Sequence, residues 1–199
     1  PDQLNAPICT RAIASESDSV QQPLVLLNPT IDGIVTDFFE WRGAGNINTQ
    51  PPLGAMWKAD GLFTAIQFGW TSDQLVMRFD PDETSTTRQG LDVDIRLQGP
   101  QFTFRLTFAL TSPGPEAFLL SRQTQADAWQ EIGSYRSIKA HTILELAVPW
   151  KELCLEQGNT IQMSIIVREH GLEVARYPGH HPAVLTVPGP EFEAELWRV

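Results

Sequence analysis

The chain has 199 residues, 42% of them apolar and 19% charged, and its 14 basic against 24 acidic side chains give a net charge of −10. That length serves one domain or two small ones, whose core folds without disulfides or metal, and the negative charge repels phosphate backbones and anionic lipid, which excludes nucleic acid and membrane surfaces as expected partners. No apolar run approaches the ~20 residues of a membrane-crossing helix, and no basic start leads into an apolar stretch, so the expectation is a cytoplasmic protein. The start at Pro1 without an initiator Met is read as a processed product or a piece of a longer chain. Cys9 and Cys154 are the only cysteines and neither has the Cys-x-x-Cys spacing of a redox or zinc site, so free thiols in a reducing compartment are expected.

In chain order, residues 1–23 carry Ser, Asp, Gln and Pro with few large apolar side chains and read as a linker or peripheral arm. The folded domain, 24–199, is expected to start at Leu24-Val25-Leu26-Leu27. A short helix is predicted to open at Thr36 and run to Trp41, with Thr36 as its cap. The Gly- and Pro-rich stretch from Glu40 to Lys58 shows no strand periodicity and reads as a long loop. Two β-rich runs, 62–70 and 75–79, predict a hairpin.

Leu91, Val93, Ile95 and Leu97 then alternate with Asp92, Asp94 and Arg96, giving one dry and one wet face. Phe102, Phe104, Leu106, Phe108 and Leu110 repeat the pattern beyond the Gly99-Pro100 turn. Further strands are expected at 116–121, 130–138, 142–148, 161–169, 172–177 and 192–197, with one helical turn at Pro149 to Leu153. About ten short strands with almost no helix predict an all-β fold, an antiparallel β-sandwich of immunoglobulin-like or jelly-roll-like kind with one or two short helical turns.

Catalytic devices are absent from the sequence: there is no phosphate-binding Gly-rich loop, dinucleotide fingerprint, nucleophile elbow or His-Glu-x-x-His. Asp92 and Asp94 read as solubilising charge on a wet face. His180 and His181, adjacent in an extended segment, point apart and are poorly placed to chelate one ion. Met77 and Met163 sit on apolar strand faces, where Met fills cores rather than ligating haem. Asp80-Pro81-Asp82-Glu83 lacks the ligand alternation of a calcium loop and reads as solvated. No metal, cofactor or catalytic residue is expected in this chain.

Tryptophan is the informative excess, at six residues. Trp150, after a strand, and Trp197, ending the last one, read as core plugs, while Trp70 at a hairpin end is open between core and contact. Trp41 and Trp57 sit in the long loop with no periodicity to bury them, and long loops in compact domains are usually functional or packed on a partner. With Glu40 and Asp32 as hydrogen-bond acceptors or loop braces, they are the expected contact residues.

Ile31-Asp32-Gly33, then Phe38 to Gly45, then Gly54-Ala55-Met56, resemble the opening of the C-terminal β-sandwich domain of family 57 glycoside hydrolases, which are retaining α-glucan hydrolases and transferases such as amylases. Gln67 to Asp80, Ile143 to Leu153 and Val187 to Trp197 agree in order. The Glu145-Leu-Ala-Val-Pro-Trp150 stretch also looks like family 9 carbohydrate-binding modules and the wider DOMON-like sandwiches, which bind sugars or haem. The family pattern has His and a basic residue after Gly-Ala-Met, where this chain has Trp57-Lys58, so a site using that His is altered or lost here.

The resemblance implies a non-catalytic accessory module that contributes contact with an α-glucan or other carbohydrate, or docking to a catalytic domain of the same parent chain. A purely structural interdomain module without ligand and a haem-binding DOMON-type module are the alternatives. The family's catalytic carboxylates belong to a barrel domain that this chain is too short to contain.

Overall fold

The computed structural model describes residues 20–37, 39–49, 61–83, 88–110, 114–179 and 181–192. Alternating apolar and polar residues pair into two antiparallel sheets that bury their dry faces against each other. The first sheet runs β1 (Val20–Gln21), β2 (Gly45–Ile47), β3 (Phe63–Trp70), β4 (Gln74–Pro81), β10 (Leu144–Pro149), β9 (Ile138–Ala140). The second runs β12 (Leu172–Tyr177), β11 (Thr160–Glu169), β5 (Leu91–Gln98), β6 (Thr103–Leu110), β7 (Phe118–Gln123), β8 (Trp129–Tyr135). β13 (Ala183–Thr186) pairs the first part of β11 and β12 the remainder, so both share one edge of that long strand. The all-β sandwich is therefore the observed fold.

Inward side chains of both sheets form one core. Ile66, Phe68 and Trp70 of β3 and Leu75, Met77 and Phe79 of β4 meet Leu91 to Leu97 of β5 and the phenylalanines of β6. Phe79 and Phe108 bridge the sheets edge to face at 6.3 Å, a geometry that aligns ring edge with ring face. Trp70 is fully buried, in edge contact with Trp150 at 5.9 Å, which settles its role as core. Trp150 opens a one-turn 3-10 helix to Leu153, as the Pro149 start anticipates, and Met77 and Met163 are fully buried. Cys154, just past that turn, is an exposed free thiol. Cys9, Met56, Trp57, His180 and Trp197 lie outside the described residues, as does nearly all of the strand expected at 192–197.

Several expectations need correction. The end of the supposed arm belongs to the sheet: β1 pairs β2, Pro23 is buried, and the Gln22 side chain donates to the Val184 carbonyl at 2.7 Å. The loop from Glu40 contains β2, three residues too short to show periodicity. No helix forms at the described residues of 36–41. Residues 39–43 turn instead through i to i+3 bonds, Arg42 N–H to Phe39 O and Ala44 N–H to Trp41 O, both 3.1 Å, and Gly43 at φ 83° directs the chain into β2.

The chain's two tyrosines are both held protonated. Tyr135 donates to Glu152 Oε2 at 2.6 Å, and this bond, with burial and the Glu152 charge behind it, pushes the phenol up to about 12. Burial also raises Tyr177, against the lowering effect of the Leu62 and Phe63 N–H groups. Raised folded values mean a stabilisation complete below the free phenol's ~10 and lost as pH rises through the folded values. Absorbance at 295 nm is thus expected to show less tyrosinate at pH 10 in the native protein than in the unfolded chain, the difference appearing on alkaline unfolding. A native midpoint near 10 for either would contradict these contacts.

Candidate functional site

The outward face of the first sheet is not wet. Gly69, Val76 and Ala147 lie side by side in register across β3, β4 and β10, a row of small side chains that leaves room for a second layer. The segment from 23 to 44 supplies that layer. Leu27 and Trp41 pack on Val76 and Ala147 as a small second core, with Ile31 and Ala44 at its margin. Leu27 lies close over Gly69, so that a Cβ there would meet its side chain and Leu27 would have to shift. Leu27 N–H to the Trp70 carbonyl at 2.7 Å and Leu24 N–H to the Gly43 carbonyl at 2.8 Å tie the layer down.

Glu145 is the centre of this arrangement. It points outward from β10 beneath the layer and is fully buried. Its Oε1 accepts the Trp41 indole N–H at 2.8 Å, and its Oε2 accepts the backbone N–H of Gly33 at 2.9 Å and of Asp32 at 3.2 Å. Arg78 stands opposite in register but is engaged by Asp80 through two bonds of 2.6 and 2.8 Å, so N–H dipoles rather than a cation satisfy Glu145. Burial raises its pKa, and the Glu40 charge adds to that. The N–H bonds from Gly33, Trp41 and Asp32 pull the other way. Gly33 completes the lock at φ 79°, its carbonyl accepting from Thr142 and Ile143, and a Cβ there would meet the His141 nitrogen at 2.8 Å.

This places the residues singled out by the sequence. Asp32 braces the loop: its Oδ1 accepts the Ile34 N–H at 2.8 Å and its Oδ2 the Thr36 hydroxyl at 2.9 Å. Glu40 Oε1 accepts the Thr30 N–H at 2.7 Å, while its Oε2 is buried without a hydrogen-bond partner. Trp41 is 5% exposed, so the expectation that it presents a stacking face is corrected: it is the roof of the second core. The structure thus joins Asp32 and Trp41 through Glu145, a residue absent from the expected set. The signal was available, because Glu145 is a lone carboxylate inside the otherwise apolar run from Ile143 to Val148.

What the layer exposes is apolar. Leu24, Val25, Ile34 and Val35 are 56%, 37%, 42% and 49% exposed, and Phe39 is 60% exposed with the Arg42 guanidinium over its ring at 5.7 Å. A groove of about 810 Å³ runs between Leu24 to Leu27 and the turn from Asp37 to Gly43, with Glu40 in its lining. Among the described residues no group of three or more His, Cys, Asp and Glu is placed to hold a metal ion, and no helix is long and apolar enough to cross a membrane. Compared with family models, curated proteins and solved structures, the chain has no match.

Proposed function

We propose that this chain is a non-catalytic accessory module that docks through the groove on its outer layer onto a protein domain, the catalytic domain of a family 57 type glycoside hydrolase being the partner that the sequence resemblance implies. One observation carries the reading: Leu24, Val25 and Phe39, which line the groove, are exposed apolar side chains on a layer that is itself anchored to the sheet by Glu145. Contiguous apolar surface rimmed by polar groups marks interaction sites. Asp37 and Glu40 give the groove an acidic lining with Arg42 as its cation, and the buried Glu40 Oε2 offers an unused acceptor. The complementary surface is therefore an apolar patch carrying Lys or Arg at its border.

Contact with an α-glucan is the second reading. It is favoured by the same Glu40 acceptor beside an exposed aromatic ring, the pairing that sugar hydroxyls and sugar faces use, but it no longer has Trp41 as a platform.

The test titrates a separately expressed family 57 catalytic domain into the module by calorimetry. A saturable complex is expected, weakened at least 10-fold in the Leu24→Asp, Val25→Asp double variant, whose exposed positions leave the core intact. Absence of a complex would sink docking. A saturable tryptophan fluorescence change with maltoheptaose would instead move the assignment to carbohydrate.

A further inference from the structure

The outer face of the second sheet carries a different feature, on the side of the sandwich opposite the groove and independent of the docking reading. Four strands bring Ser164, Arg96, Arg105 and Ser121 into one row, each in direct register with the next. Every side chain in that row offers a hydrogen-bond donor, and the two arginines stand directly opposite each other. Like charges in that relation destabilise a sheet unless something neutralises them.

Nothing among the described residues does so. The ion pairs there join Arg78 to Asp80, Arg88 to Glu169, Lys151 to Glu152, Arg168 to Asp94 and Arg176 to Glu173, and neither Arg96 nor Arg105 takes part. The nearby Asp94 is committed to Thr107 and Arg168. Glu131, beyond Ser121 in the same row, forms no ion pair. The Nε of both arginines is buried and lacks a hydrogen-bond partner. In a chain of net charge −10, two adjacent arginines with desolvated Nε atoms and no ion-pair partner among the described residues are not general surface charge.

The row is also held in place. The Trp129 ring lies under the Arg105 guanidinium at 4.6 Å to its centroid, reaching across β7 above Ser121, which is small and only 3% exposed. Stacking on an indole fixes the plane of a guanidinium, so less entropy is lost when its fork engages a ligand. Paired guanidiniums flanked by the Ser164 hydroxyl match the several acceptor oxygens of a phosphate group and bond it more strongly than neutral donors would. The protein's negative charge does not forbid this, because at physiological salt its distant carboxylates are screened beyond ~8 Å.

We propose that Arg96 and Arg105, with Ser164 beside them and Trp129 over Ser121 as their support, form a binding site for a phosphate group on a small molecule. The site takes no part in bond making.

Calorimetric titration of the whole chain with sodium phosphate, in sodium chloride of matched ionic strength, is the test. Saturable binding is expected, weakened at least 10-fold in Arg105→Gln and in Arg96→Gln. Arg105→Lys keeps the charge but loses the fork, so it is expected to bind several-fold more weakly than the native chain. It carries the comparison if either Gln variant fails to fold. Glucose 1-phosphate in a parallel arm separates the sources: tighter binding than phosphate assigns the site to a sugar phosphate, and equal binding to the free anion. No saturable binding of either probe, or undiminished binding in a folded arginine variant, overturns the proposal.

Discussion

Replacing Glu145 by alanine is expected to lower the unfolding free energy by about 3–5 kcal/mol, because three N–H donors each lose a partner at ~1–3 kcal/mol, with partial relief from entering water. For a domain of this size the loss corresponds to a fall in melting temperature of roughly 6–20 °C. The stranded groups are the Trp41 indole and the Gly33 and Asp32 backbone N–H, so the damage falls on the outer layer. Thermal unfolding followed by circular dichroism measures the loss, and a near-native melting temperature would show that the layer does not depend on this carboxylate.

The Gln variant separates shape from charge. An amide keeps one acceptor and turns a donor toward either Trp41 or the 32–33 backbone, and at low pH the protonated native carboxyl carries a donor as well, so Glu145→Gln is expected to cost only about 1 kcal/mol there. Burial raises the native carboxyl above its usual range. The stabilisation it gives is therefore complete below the unfolded pKa of ~4.3 and is lost as pH rises through the folded value. Glutamine has no such titration, so the gap between native and variant proteins should narrow with rising pH. Urea unfolding from pH 4 to 8 reads it. A widening gap would mean that the three N–H bonds outweigh desolvation.

The legible part of the molecule was what strict alternation encodes. β3 through β7 and β10 through β12 stand close to where their periodicity puts them, because each has one face in the core and one turned outward. β2 and β13 escaped because three or four residues cannot display a period. The helix expected at 36–41 gives way to a turn over 39–43 because helical and turn residues share local propensity, and the decision comes from β2 pairing beyond Gly43. The candidate site was half legible: Asp32, Glu40 and Trp41 do belong to one layer, but the roles of Asp32 and Trp41 depend on Glu145, more than a hundred positions away. A loop with no periodicity reads as exposed when the layer beneath it is supplied by outward residues such as Gly69, Val76 and Ala147. The same limit hid Asp94, whose alternating neighbours look wet while its partner Arg168 lies on another strand.

Arg168→Met is expected to cost about 2–4 kcal/mol, less than the ~3–5 typical of breaking a fully buried pair because Arg168 is itself 23% exposed. The loss leaves Asp94, at 4% exposed, with only the Thr107 hydroxyl at 2.8 Å. Removing both charges, as Asp94→Leu with Arg168→Met, should recover most of the loss, since no lone buried carboxylate then persists. Arg96→Met is the contrasting case. Among the described residues it breaks no ion pair, and it removes one of two opposed cations, so its effect is expected within about 0.5 kcal/mol of zero. Urea unfolding of these variants at pH 7 sorts the outer-face arginines by purpose: a cost for Arg168 alone makes it a strut for Asp94 and leaves the Arg96 and Arg105 row without a structural reason. An equal cost for Arg96 would return that row to the frame of the sheet.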